Sequence, residues 1–314
     1  MRNIYNKPID LRKLKTYPIR KRKNLVTIKE FVSVSTPPAG FRQFMNEMPD
    51  ILAGADFKTL VDKIVEAHKN KRVIGVALGA HVIKCGLSTI IIDLMRRGVI
   101  KSIAMNGAGA IHDYEISLIG ATSENVRETI KDGKFGMAQE TAGFFSRASG
   151  HAAGNKLGLG ESIGKMIIRE KNQYSNYSIL AHAYQMGIPA TIHVALGTDT
   201  IHMHECISGE DLGKASLHDF KILASIVSSL NKGVWLNIGS AVILPEVFLK
   251  AVSMARNLGN KLNDFTTANI DMIQHYRPRE NVTGRPSPRG INLVGHHEIM
   301  LPLLRWAVLS VINN

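Results

Sequence analysis

The sequence predicts an α/β fold: a Rossmann-like, doubly wound and mostly parallel sheet with helices on both faces. Three observations predict it. Short apolar runs of strand length, such as residues 73–78 and 233–238, alternate with longer stretches of helical spacing. The short runs are continuously apolar, the pattern of strands buried on both faces. Small residues recur just after them, at Gly79, Gly107, Gly197 and Gly239, where open parallel sheets bind their ligands.

The elements follow in order. Residues 57–68 bring Leu60, Val61, Ile64 and Val65 onto one helical face and lead into the run 73–78, the first helix-to-strand step. A helix over 82–97 closes at Gly98, and a strand over 100–105 is followed by a Gly-rich turn and a helix over 110–120. Helical spacing recurs at 124–131, 137–149, 163–169 and 178–186, the last ended by Gly187-Ile188-Pro189. Strand 190–196, a long loop, helix 217–230, strand 233–238, helix 245–258, strand 265–273 and helix 297–311 complete the series.

A chain of 314 residues fits one α/β unit with an extension. The turn-forming run Ser35-Thr36-Pro37-Pro38-Ala39-Gly40 marks the junction, giving a basic N-terminal arm at 1–39 and a single domain at 40–314. Residues 1–30 hold ten basic and two acidic residues, and so carry eight of the thirteen net positive charges. The arm is therefore where nucleic acid or an acidic partner would bind, unless it is a solvated surface or an oligomer contact; the rest of the chain gives no reason to expect nucleic acid. With only Cys85 and Cys206 there is no disulfide framework. No run of 18 apolar residues occurs and the N-terminus is charged, so the expectation is a cytoplasmic protein without membrane segments.

Four strand ends supply candidate ligand contacts: Gly79-Ala80-His81, Asn106-Gly107-Ala108-Gly109, Gly197-Thr198-Asp199 and Gly239-Ser240. Small residues let a ligand approach the backbone, which suits a dinucleotide such as NAD, although none meets the full G-x-G-x-x-G pattern. His112 and Asp113 are candidates for polar contacts to an amine or ribose, while Asp113 and Glu115 lie on different sides of a helix and form no obvious acid and base pair. His193, His202 and His204 around Asp199 are nitrogen and oxygen donors of the kind that hold zinc or another transition metal, without any H-E-x-x-H or paired-Cys pattern. His296-His297-Glu298 offers a base or a helix cap. His275, Arg277, Arg279 and Arg285 offer a clamp for a carboxylate or phosphate, or an ordinary solvated surface.

These residues resemble the deoxyhypusine synthase family. Residues 79–115 are similar to that family's segment ending Thr-Ala-Gly-Gly-x-Glu-Glu-Asp: Ala108-Gly109 match its Ala-Gly pair, His81 falls at its Asn, and His112-Asp113 at its paired Glu positions. Gly187-Ile188-Pro189 and Thr198-Asp199 resemble its Ile-Pro and Thr-Asp elements, whose Asp contacts NAD. The resemblance spans about residues 40–308 and implies a Rossmann-like fold, NAD as cofactor and a homotetramer. The departures are sharper. The helix after Gly239 reads Ile243-Leu244-Pro245-Glu246 without the family's histidine, Gly284-Arg285-Pro286 leads to no Trp-Gly-Lys, and no lysine follows Lys261. An arginine cannot form the imine which that lysine forms.

The sequence therefore predicts an NAD-dependent enzyme that transiently oxidises an amine or related small substrate, without authentic deoxyhypusine synthesis. His81, His112 and Asp113 would face the substrate, with His296 or His297 carrying a proton. The alternatives are a metal-dependent hydrolase or lyase built on His193, Asp199, His202 and His204, and a non-catalytic binding protein on the same fold.

Overall fold

A computed structural model describes residues 40–312; the basic arm lies outside the described residues. Helices α1 (Phe41–Glu47) and α2 (Leu52–Lys69) precede β1 (Ile74–Leu78), followed by α3 (Ala80–Lys84), α4 (Ser88–Arg96), β2 (Ser102–Asn106) and α5 (Gly107–Ile119). Then come α6 (Val126–Thr129), α7 (Gln139–Asn155), α8 (Leu159–Arg169), α9 (Ile179–Met186) and β3 (Ala190–His193). The last part is α10 (Gly209–Ser228), β4 (Val234–Ile238), α11 (Ile243–Asn257), β5 (Thr266–Asp271), α12 (Tyr276–Pro278), β6 (Arg289–Val294) and α13 (His297–Ile312).

The six strands are all parallel, in the order β3-β2-β1-β4-β5-β6. This is the doubly wound order, whose direction reverses between β1 and β4. The fold class expected from the sequence is the one found. Ile74, Val76, Leu78, Leu236 and Ile238 pack into one core with α2, α4 and α13, while Ala77, Ala104 and Trp235 face α10 and α11. Trp235 stacks on Phe248 of α11 with ring centroids 4.8 Å apart. Burying both faces explains why these strands carry continuous apolar runs.

Several elements differ from expectation: α1 is not among the elements expected, and α10 begins at Gly209, inside the stretch expected as loop. The helix expected over 82–97 is two helices, because Gly86 turns the chain at φ 73°. The third strand stops at His193, because the next amide, Val194 N–H, donates to the Ser216 hydroxyl of α10. Residues 289–294 form β6, which the sequence reading leaves as loop. As an edge strand it buries only Ile291 and Leu293 and so lacks a continuous apolar run.

The other edge strand, β3, is closed off by α10. The Asp219 carboxylate accepts from Ile192 N–H at 2.8 Å and from Gly160 N–H, at the start of α8, at 3.0 Å. Edges need such cover, since their unpaired amides otherwise template further strands. Burial pushes the Asp219 carboxyl up to about 7, against the pull of these amides. Among the described residues no helix is long and apolar enough to cross a membrane.

Candidate functional site

The crevice expected of this topology lies where the loops after β1 and β4 part. Here the two loops touch. Gly79 N–H donates to Ile238 O at 2.8 Å, and a Cβ on Gly79 would stand 1.9 Å from Gly239 O, so only glycine fits. Gly239 has φ 67°, and a Cβ there would meet the His297 ring at 2.9 Å. Ala80 opens α3, a helix of only five residues, and the Ser240 hydroxyl accepts from Leu244 N–H in the first turn of α11.

Three of the predicted histidines surround this point. His297, 1% exposed, sits over Gly239 with Nε2 3.3 Å from Ile270 O and 3.7 Å from the Asp271 carboxylate; its Nδ1 is buried without a partner. The His81 ring meets it edge-on at 5.8 Å. His296 is exposed, 3.9 Å from Glu298. At 1% exposure His297 is sealed from solvent, which corrects its expected role as a proton carrier.

A second group gathers where β2 and β3 end. The Asn106 side chain caps α5 by accepting from Gly109 N–H at 2.9 Å. Asp199 packs against Gly107, where a Cβ would stand 2.0 Å from its Oδ2. Burial raises the Asp199 carboxyl above its ordinary value, opposed by nearby His202 and the Ala108 amide. His202 Nδ1 accepts from Gly197 N–H and Asp199 N–H, so its proton sits on Nε2. Both that nitrogen and Asp199 Oδ2 are buried without partners. Thr198 is exposed, its hydroxyl bonded to Ala195 O.

Two expectations are corrected here. Asp113 is fully buried and takes no substrate: its oxygens accept from the Ser178 hydroxyl, Ile179 N–H and Leu180 N–H, capping α9. Burial pushes its carboxyl up to about 6 in spite of those donors. The metal cluster also fails, for no group of three ligating side chains exists among the described residues. His193 is buried against Thr191, with burial pushing it down to about 3, and His204 Nε2 is 2.8 Å from Gly136 O. The Asp219 carboxylate, which closes the edge of β3, escapes the sequence reading.

The arginine group is exposed and mostly paired. Arg277 lies 3.2 Å from Glu246, and Arg285 bonds Asn281 and the Tyr276 hydroxyl with Glu280 at 3.6 Å; His275 and Arg279 are exposed beside them. A concavity of about 470 Å³ between Phe41, Arg42, Arg97, Arg305 and Trp306 lies where α4 ends, remote from the carboxyl ends of the strands.

Fold and crevice together define a doubly wound, Rossmann-like protein with small-residue loops at its switch point. No known family profile and no curated protein matches the sequence. Solved structures do match in fold. A putative deoxyhypusine synthase from Entamoeba histolytica aligns over 95% of this chain and 98% of its own at TM-score 0.52 and 11% identity. A putative LOR/SDH protein from Methanococcus maripaludis S2 aligns over 83% and 71% at TM-score 0.54 and 15% identity. AgrE, solved with ornithine and NAD+, aligns over 84% of this chain at TM-score 0.55 and 12% identity, and this chain spans only 34% of AgrE. At these identities the likeness is one of fold: the chain shares the fold of a putative deoxyhypusine synthase and of an NAD-binding protein.

Proposed function

We propose that the protein is a deoxyhypusine synthase-like enzyme that binds NAD across the β1/β4 crevice and acts on an amine or related small substrate by transient oxidation. The observation that carries this reading is the reversal of strand order between β1 and β4, flanked by the small residues Gly79, Ala80, Gly239 and Ser240, the place where doubly wound sheets take dinucleotides. The fold neighbour solved with ornithine and NAD+ supports it.

The residues present fit such a group in their polar chemistry. Asp199 Oδ2 and His202 Nε2 are buried without partners beyond the ends of β2 and β3, where ligand hydroxyls and amides would satisfy them. Gly79, Ala80, Gly239 and Ser240 would line one half of the dinucleotide, and Asn106, Gly107, Ala108, Gly109, Thr198 and Asp199 the other. When bound, NAD supplies a hydride acceptor. His81, His112 and His296 would hold or move protons on the substrate, and His275, Arg277, Arg279 and Arg285 would meet an anionic part of it. Deoxyhypusine synthesis itself is not proposed, since no lysine follows Lys261. A homo-oligomer, a tetramer by resemblance, belongs to the same reading.

The test is mass spectrometry of small molecules released from the denatured full-length protein, with a calorimetric NAD titration. Bound or titratable NAD is expected. Neither at millimolar nucleotide would overturn the proposal.

A further inference from the structure

We propose that His112 is a proton acceptor working through Nε2, and that Thr122 and Glu115 are positioning residues that leave that nitrogen free. The inference rests on the reading above only for the proton's source, a hydroxyl or amine of a small substrate.

The geometry forms a chain in which each hydrogen can be assigned. Glu115 Oε1 accepts from the Thr141 hydroxyl of α7 at 3.1 Å, and Oε2 from the Thr122 hydroxyl at 2.5 Å. A hydroxyl has one hydrogen to give. With that hydrogen on Glu115, the Thr122 oxygen faces His112 Nδ1, 2.6 Å away, as an acceptor. Nδ1 therefore carries the imidazole proton, and the lone pair of the neutral ring lies on Nε2. Nε2 makes no hydrogen bond to the described residues. Burial would raise the Glu115 carboxyl, but hydrogen bonds from Thr122 and Thr141, with His112 nearby, hold it below its ordinary value, ionised and able to accept.

The sequence builds the chain locally. His112 and Glu115 are three residues apart on α5 and so share a face, and Gly120, in the left-handed region at φ 71°, ends that helix and turns the chain back so that Thr122 lies between them. The arrangement is that of a base oriented by a carboxylate, here with a hydroxyl inserted between them.

The neighbouring histidines lack this combination. His202 has the opposite tautomer, with Nδ1 committed to two amides. His297 is sealed at 1% exposure, and His204 is tied by Nε2 to Gly136 O. His112 alone among these pairs an Nδ1 placed to donate with an unengaged Nε2 left to accept.

The test needs no substrate. Full-length protein with ¹⁵N-labelled histidine is examined by long-range ¹H–¹⁵N correlation at a pH above the imidazole titration, without nucleotide, using His112→Gln to assign the signal. The expected spectrum has the pyrrole-type nitrogen at Nδ1 and the pyridine-type nitrogen at Nε2. Thr122→Val should shift pyrrole character to Nε2, and Thr122→Ser should restore the wild-type pattern. Acylation by diethyl pyrocarbonate, mapped by mass spectrometry, should mark His112 in the wild type. A wild-type His112 protonated at Nε2, a Thr122→Val spectrum unchanged from wild type, or a His112 that the reagent does not reach would each overturn the proposal. Because nucleotide is absent, failure of NAD binding would leave this result standing and would overturn only the reading of the crevice.

Discussion

Replacing Asp219 by Asn tests how β3 and the Asp199 turn beyond it are held. The carboxylate is fully buried and ties α10 to Ile192 of β3 and to Gly160 of α8. Burial raises its carboxyl from 3.8 to about 7. The folded state therefore binds this proton more tightly than the unfolded chain does. Its contribution is most favourable below pH 3.8 and is lost as pH rises through about 7. A shift of some three units, at about 1.4 kcal/mol each, amounts to a loss of about 4 kcal/mol across that window. The side-chain amide in the Asp219→Asn variant keeps one oxygen for the two backbone donors and does not titrate. Urea unfolding of wild type and Asp219→Asn at several pH values between 4 and 7.5 isolates the effect, because groups common to both proteins cancel in the difference. The variant should gain about 4 kcal/mol relative to wild type from the acid to the neutral end of the series. A difference between the two proteins that stays constant to within about 1 kcal/mol would refute the reasoning.

Further outcomes follow from the same contacts. Asp113→Ala removes the acceptor for Ser178, Ile179 and Leu180 and should cost about 3 kcal/mol in thermal or urea unfolding, whereas a catalytic Asp113 would give a stable, inactive protein. Gly79→Ala drives a Cβ into Gly239 O and should cost about 3 kcal/mol and abolish NAD binding by calorimetry. Gly86→Ala, with φ 73° but open space around it, should cost about 1 kcal/mol and leave any NAD binding intact. Chelation should leave the melting temperature unchanged, because the three predicted metal-binding histidines do not converge.

The strands that the sequence reveals are those buried on both faces. Residues 74–78 are uninterruptedly apolar or small, 234–238 are so except for Asn237, and 266–271, though buried throughout, mix Ala268 and Ile270 with Asn269 and Asp271; all three are strands buried on both faces. Edge strand β6 exposes every second residue, and its signal of Ile291 and Leu293 is too short to stand out. The small residues at strand ends are equally legible, since they follow directly on the apolar runs. What fills the space between them is not, because it depends on contacts distant in sequence. Asp113 bonds residues 65 to 67 positions away, and Asp219 reaches Gly160 across 59. Neither partnership leaves a local mark, so a buried helix cap reads as a ligand contact, and the carboxylate closing the sheet edge gives no signal. The sequence sets Glu115 beside Asp113, two residues away, whereas its neighbours are His112, one turn back, Thr122 in the following loop and Thr141, 26 residues on.

The central claim, a dinucleotide held at the reversal of strand order, is tested most directly by hydrogen exchange of the full-length protein with and without saturating NAD. Slowed exchange is expected at residues 79–81 and 239–241, accompanied by 106–109, with the remote Arg42–Trp306 groove unaffected. Unchanged exchange at both Gly79 and Gly239, or protection confined to another surface, would contradict it.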